Sequence, residues 1–155
     1  MALEPLPPHH PNCMGCGDEN PSGVGMRMAR DGDRVRGSAT LDRRHEGAPG
    51  YAHGGAVSTV LDDALGMLLF VLRRPAVTAR LEVDFRRPAY LGRPFDVEAW
   101  VDRVEGRKLW LLAELRDEGE LVASGRALFL EVDPGHFARG LKTTSESESG
   151  LGFPW

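Results

Sequence analysis

The residue types best suited to chemistry lie in one stretch, residues 45–66, which passes from a Gly/Pro-rich loop into an apolar helix. His53-Gly54-Gly55 stands where that helix begins. Glycines at this point let backbone N–H groups approach a ligand without a Cβ in the way. Free N–H donors at the positive end of a helix suit a developing oxyanion, whereas the alternative interpretation is a flexible hinge.

Two adjacent carboxylates, Asp62 and Asp63, lie in the middle of the same helix among apolar residues, where Asp has a poor helix propensity. An ionised carboxylate is costly to bury unless it is paired or used. We therefore expect Asp62 to be a general base or nucleophile with a pKa raised by burial. Asp63 is expected to face solvent through a cleft.

The spacing of these groups limits how one chain could use them together. Gly54 and Asp62 are eight residues apart, which is roughly 12 Å along a helix axis, yet both should lie within about 3 Å of one reacting carbonyl. Either the loop is displaced from the axis, or a second chain of a dimer supplies its aspartate. We favour a dimer with a shared site, because a partner would also cover the apolar helix surface that remains.

The elements that position these residues follow from hydrophobic periodicity. Residues 54–73 predict a helix of about 18 residues that ends at Arg73-Arg74-Pro75. Because this helix is apolar on nearly all sides, a sheet has to curl around it. Period-two alternation predicts six antiparallel strands, one of which places Ala79, Leu81, Val83 and Phe85 on its buried face. The order strand, strand, helix, four strands is similar to the α+β hot-dog fold.

Composition narrows the class of protein. The 155 residues suit one domain, which we assign to 13–140 between an extended lead-in (1–12) and a disordered tail (141–155). The net charge of −4 argues against a nucleic-acid partner. The longest apolar run is too short to predict a membrane span, and no cationic start precedes an apolar stretch. Two cysteines cannot form a disulfide framework, which favours a cytoplasmic location.

Three motifs carry a resemblance to a known family. His53-Gly54-Gly55 followed by Asp62 resembles the signature of PaaI-like acyl-CoA thioesterases in the 4-hydroxybenzoyl-CoA thioesterase hot-dog superfamily. Residues 78–88 are similar to the strand after the helix in those enzymes, and Cys13-Met-Gly-Cys-Gly17 with Asn20-Pro21 is similar to the start of one branch. The resemblance covers residues 13–131.

The resemblance implies roles for individual residues. It makes Asp62 the nucleophile or the general base on water, and an N–H of Gly54 or Gly55 the group that polarises the thioester carbonyl. Thr78 matches a hydroxyl that orients the attacking water. Gly47 stands where many members have an Asn that positions water or the thioester, so the substrate or the efficiency is expected to differ.

Several other residues have competing interpretations. His53 is expected to hold the loop by hydrogen bonding, whereas His45 is either a loop residue or the acid–base histidine of hot-dog dehydratases. Cys13 and Cys16 with His9 and His10 nearby could hold zinc, but one CxxC is a weak signal and metal-free thiols are expected. Outward-facing Trp and Leu residues form a tetramer contact or are shielded by arginines: Trp100, Trp110 and Leu112. Three cations are either CoA-phosphate ligands or solvated: Arg86, Arg87 and Arg107.

Together these features predict a homodimer or tetramer that hydrolyses an acyl-CoA thioester without metal or cofactor and binds neither nucleic acid nor membrane. A hot-dog hydratase or dehydratase using His45 and Asp62 is one alternative. The other is a non-catalytic acyl-CoA-binding module.

Overall fold

One long helix forms the centre of the molecule in the computed structural model, which describes residues 2–142. This helix, α1, spans Gly54–Leu72 and ends at Arg73, whose left-handed backbone precedes Pro75 by two residues. Nine of its residues are buried against the sheet. By length and composition alone α1 could also cross a membrane, but a buried core helix passes the same test. The predicted central helix is confirmed.

Seven antiparallel strands form the sheet that holds α1. They are β1 (Glu4–Pro5), β2 (Arg27–Asp31), β3 (Arg34–Thr40), β4 (Ala76–Phe85), β5 (Pro94–Glu105), β6 (Lys108–Asp117) and β7 (Glu120–Glu131). Their order across the sheet is β1-β2-β3-β5-β6-β7-β4, so the chain crosses from β3 through α1 to the far edge and then returns to pair β5 with β3. This is the hot-dog fold.

The predicted number of six strands is wrong by one. The additional strand, β1, lies in the Pro-rich lead-in and pairs with β2. Two residues, one of them Pro5, show no alternation that a period-two search could detect. The pairing nevertheless places the lead-in along the edge of β2. The residues that follow β1 then lie against α1, where His9 and Cys13 contact Asp63.

Strand β4 differs from the prediction in its burial. It forms one edge of the sheet and pairs with β7, with a register shift between Thr78 and Arg80. Phe85, expected on the buried face, is 57% exposed. Phe85 is the last residue of this edge strand and lines the cavity beside Gly54, which leaves much of its ring in contact with solvent.

A short helix, α2 (Gly135–Leu141), follows β7 and was not predicted. The predicted disordered tail begins at Leu141, which is the last residue of this helix. Lys142 is the last residue that the structure describes, so the rest of the predicted tail, residues 143–155, lies outside the described residues.

The outward face of the sheet carries two cation–π pairs. The guanidinium of Arg34 lies 5.0 Å from the ring centre of Trp100, and that of Arg103 lies 4.5 Å from the ring centre of Trp110. Within the chain, arginines therefore shield both tryptophans, which is one of the two interpretations given above.

Candidate active site

Asp62 and Thr78 come together where α1 faces the start of β4. The hydroxyl of Thr78 donates a hydrogen bond of 2.9 Å to Oδ1 of Asp62. Both residues line a cleft of about 240 Å³, together with His9, Asp63 and apolar groups of α1, β4 and β7. The structure thus joins two of the predicted site residues through one direct contact.

Burial sets the acid–base character of Asp62. Removal of its carboxylate from water raises its pKa above the ordinary range, while the hydrogen bond from Thr78 and the charge of His9 act in the opposite direction. A half-buried carboxylate beside a hydroxyl can accept a proton from water or attack a carbonyl carbon.

The start of α1 holds the other predicted residues. His53 is the N-cap, and its Nδ1 accepts the N–H of Gly55 at 2.8 Å. The backbone bonds that anchor the preceding loop include those from His53 N–H to the carbonyl of His45 and from Ala52 N–H to that of Ala89. This agrees with the interpretation of His53 as a residue that holds the loop.

The N–H groups of the two glycines are not equivalent. The ring of His53 occupies the N–H of Gly55, whereas no group in residues 2–142 accepts a hydrogen bond from the N–H of Gly54. Gly54 lines a cavity of about 350 Å³ whose wall includes Phe85 and Val57. Gly54 is therefore the residue whose backbone donor is available to a ligand.

Within one chain the two halves of the predicted site remain apart. The Gly54 cavity and the Asp62 cleft share no lining residue. Gly54 lies against Phe85 at the end of β4, and Asp62 lies against Thr78 near its start. The roughly 12 Å spacing expected from the helical rise is therefore not closed by a displaced loop.

His45 is held by its own neighbourhood. Its Nδ1 accepts the N–H of Asp42 at 3.2 Å, so Nε2 carries the proton and donates to the carbonyl of Ser22 at 3.2 Å. The residue is buried and completes the cap of a 3₁₀ turn (Arg43–His45). Both ring nitrogens are thus engaged away from Asp62.

The arginines considered for CoA phosphates separate into two groups. Arg86 and Arg87 line the Gly54 cavity, and Arg87 also pairs with Glu120 at 3.1 Å. Arg107 instead donates to the carbonyl of Glu131. Two of the three cations are therefore placed where an anionic ligand of that cavity could reach them.

Gly47 lies directly beside the helix cap. A Cβ at this position would stand 3.0 Å from Cα of His53, closer than ordinary packing. The Asn expected from the family resemblance would require the loop to shift.

Asp63 does not face solvent, contrary to the prediction. Its side chain is 9% exposed and points toward His9, Cys13 and Cys16, and burial raises its pKa. The sequence signal for this cluster was the CxxC with a histidine four residues before it. That signal contained only three of the four residues, because the fourth, Asp63, lies in α1, far along the chain.

Comparisons with known proteins identify the family. A family model described as the thioesterase superfamily matches residues 49–124. The Pseudomonas aeruginosa protein PA0474 is 35% identical over 92 residues, which cover 57% of this chain and 69% of that protein. The acyl-coenzyme A thioesterase THEM4 of Xenopus laevis is 34% identical over 91 residues, 57% of this chain and 41% of that protein. The chain thus matches less than half the length of this curated thioesterase.

Solved structures share the fold. RHA08564, a thioesterase superfamily protein, is 30% identical with a TM-score of 0.70 over 74% of this chain and 58% of that one. The PaaI protein of E. coli is 19% identical with a TM-score of 0.66 over 70% of this chain and 84% of that one. The chain belongs to the thioesterase superfamily, and it shares the hot-dog fold with the PaaI protein.

Proposed function

We propose that the protein hydrolyses acyl-CoA thioesters at a site shared between two copies of the chain. The observation that carries this proposal is the Asp62–Thr78 pair in its cleft, with a free N–H on Gly54 at the start of the same helix. The names of relatives such as the Xenopus laevis thioesterase support acyl-CoA as the substrate.

The proposed reaction needs a base or nucleophile and an oxyanion donor. As general base, Asp62 takes a proton from water while the water oxygen bonds to the thioester carbonyl carbon. As nucleophile, Asp62 bonds to that carbon itself, and water then hydrolyses the resulting anhydride. In both routes the C–S bond breaks and CoA leaves as a thiolate, which needs little protonation. The N–H of Gly54 stabilises the negative oxygen.

The edge of the sheet supports the shared site. Within residues 2–142, β4 pairs along one side only and leaves the other side open, with Phe85 exposed at its end. An open edge of ten residues is a template for pairing with another strand. Antiparallel pairing of β4 with the same strand of a second copy, about its middle, would bring each Asp62–Thr78 pair toward the Gly54 end of the other chain.

Arg86 and Arg87 fit the same proposal. Both line the Gly54 cavity, where guanidinium groups could pair with the phosphates of CoA. The dehydratase alternative loses support because both ring nitrogens of His45 are engaged elsewhere. The binding-module alternative is addressed by the experiment below.

Replacement of the carboxylate tests the proposal. Asp62→Asn keeps the volume of the side chain but removes the proton acceptor, so we expect thiol release from acyl-CoA esters to fall by about 10²–10⁴-fold. The assay uses a panel of aryl, short-chain and long-chain esters. Asp33→Asn, in the exposed β2–β3 turn, serves as the matched control and keeps full activity.

Unchanged turnover in Asp62→Asn would refute the role of this carboxylate. Tight binding of acyl-CoA by the wild-type protein without turnover of any ester would instead support the binding module.

A further inference from the structure

Four side chains that the proposed hydrolysis does not use converge beside the Asp62 cleft. They are His9, Cys13, Cys16 and Asp63, which we call the Cys/His/Asp cluster, and one ligand atom of each lies within 4.8 Å of those of the others. Cys16 is 1% exposed, and the side chains of His9 and Asp63 are 14% and 9% exposed. The cluster therefore lies in the interior, where free polar groups are costly.

We propose that the Cys/His/Asp cluster is a structural zinc site that fastens the N-terminal segment to α1. Two thiolates, an imidazole and a carboxylate form a complete set of four ligands of the kinds that Zn²⁺ prefers. With all four positions supplied by the protein, the site has no open position for a substrate.

The distances agree with a tetrahedron. Oδ1 of Asp63 lies 3.1 Å from Nδ1 of His9, 3.1 Å from Sγ of Cys13 and 3.7 Å from Sγ of Cys16. Nδ1 of His9 lies 3.2 Å from Sγ of Cys16. Tetrahedral zinc with bonds of about 2.0–2.3 Å has edges of about 3.3–3.8 Å between its ligand atoms. These four distances are within a few tenths of an ångström of that size, and all four ligand atoms lie within 4.8 Å of one another.

The two carboxylate oxygens of Asp63 have unequal surroundings. Three polar groups converge on Oδ1, while Oδ2 is buried and accepts no hydrogen bond from the described residues. Hydrogen bonding by itself would favour sharing the donors between both oxygens. Oδ1 is thus the one carboxylate oxygen that faces the other three ligand atoms, as an oxygen that binds a shared metal ion would.

Further contacts orient the ligands from outside. The backbone N–H of His9 donates to Sγ of Cys16 at 3.2 Å, and the ring of His9 stacks on Phe70 with centres 5.5 Å apart. Contacts of this kind hold metal ligands in place.

Two glycines allow the segment to approach α1 closely. A Cβ on Gly15, between the cysteines, would stand 2.3 Å from Cγ of Asp63, and one on Gly66 of the helix would stand 3.2 Å from the ring of His9. Side chains at these positions would push the loop away from the helix and separate the four ligands.

Metal analysis of the purified protein tests the proposal without reference to hydrolysis. After tag removal and dialysis with a reductant, we expect mass spectrometry of the metals to find one zinc ion per chain. Cys13→Ser/Cys16→Ser and Asp63→Ala should each lose the zinc. The matched controls are His10→Ala, whose ring accepts the N–H of Asn12, and Met14→Ala, which is 57% exposed between the two cysteines. Both should keep it.

Cobalt substitution of the wild-type protein gives a second readout that does not depend on the folding of variants. Tetrahedral Co²⁺ bound by two thiolates should show a thiolate charge-transfer band and intense visible bands. The proposal is overturned if the wild-type protein holds neither zinc nor cobalt under reducing conditions, if it holds iron instead, or if Asp63→Ala keeps a full equivalent of zinc.

Discussion

Asp62 and Asp63 are adjacent in sequence and of the same residue type, yet their surroundings differ. Asp62 is bonded to a hydroxyl of β4 in an open cleft, whereas Asp63 is enclosed by two thiols and an imidazole. Successive residues on a helix point about 100° apart, so neighbours reach different partners. The division of roles between the two carboxylates follows from this rotation.

In the proposed mechanism, Thr78 positions the Asp62 carboxylate through its hydrogen bond. We expect Thr78→Val, which removes the hydroxyl at nearly constant volume, to lower kcat by about 10-fold with a smaller change in KM, because a hydrogen bond to a charged group is lost. Steady-state kinetics of thiol release measure this effect. Thr78→Ser should restore most of kcat, and Thr40→Val, at an exposed position at the end of β3, should be neutral. Equal losses in the Val and Ser variants would argue against a role for the hydroxyl.

At the scale of elements, the first turn of α1 combines a cap and a free donor. The ring of His53 accepts the N–H of Gly55, whereas the N–H of Gly54 has no acceptor among residues 2–142. Because the cap fixes the direction of the first turn, the open N–H is held in place by the helix rather than by the loop. The backbone of α1 therefore supplies the hydrogen-bond donor, and residue 54 needs no side chain to provide it.

A proline at position 54 removes the backbone N–H while leaving the helix in place, so it tests the N–H by itself. Proline is tolerated at the first helical position, and the extended backbone of His53 (φ −61°, ψ 139°) suits a residue before proline. We expect Gly54→Pro to lower kcat by about 10²–10³-fold, as loss of an oxyanion donor does. Gly54→Ala keeps the N–H and should retain activity, with circular dichroism reporting an intact helix in both variants. Matching activities in the two variants would remove Gly54 from the proposed oxyanion site.

At the scale of the whole molecule, the proposed site is incomplete in one copy. The Asp62 cleft lies by the start of β4 and the Gly54 cavity by its end, and a strand of ten residues is too long for one chain to join them. A two-fold pairing of β4 would solve this by symmetry, since each strand then runs opposite to its partner.

Mixing two inactive variants tests whether the site is shared. Asp62→Asn and Gly54→Pro chains, co-expressed with different tags and purified through both, form a mixed dimer with one intact site. Because every dimer that carries both tags has one good site of two, we expect activity of about half the wild-type value per dimer. A site contained in one chain would give no recovery.

Much of the architecture could be predicted from the sequence. Periodicity located α1 within one residue of its observed end, and Gly106 and Gly119, residues typical of turns, stand between consecutive strands. These features depend on local chemistry: apolar spacing, turn residues and a proline stop. The pairing of HGG with an aspartate nine residues after its histidine likewise placed two candidate groups on one helix.

The tertiary structure alone decided which groups meet. It gave Asp62 its hydroxyl partner, engaged both nitrogens of His45, and freed the N–H of Gly54 but not that of Gly55. It also brought Asp63 to a CxxC about fifty residues earlier in the chain. Hydrophobic patterning determines which face of an element is buried, but contacts between distant segments depend on sheet order, register and loop paths that no local pattern records.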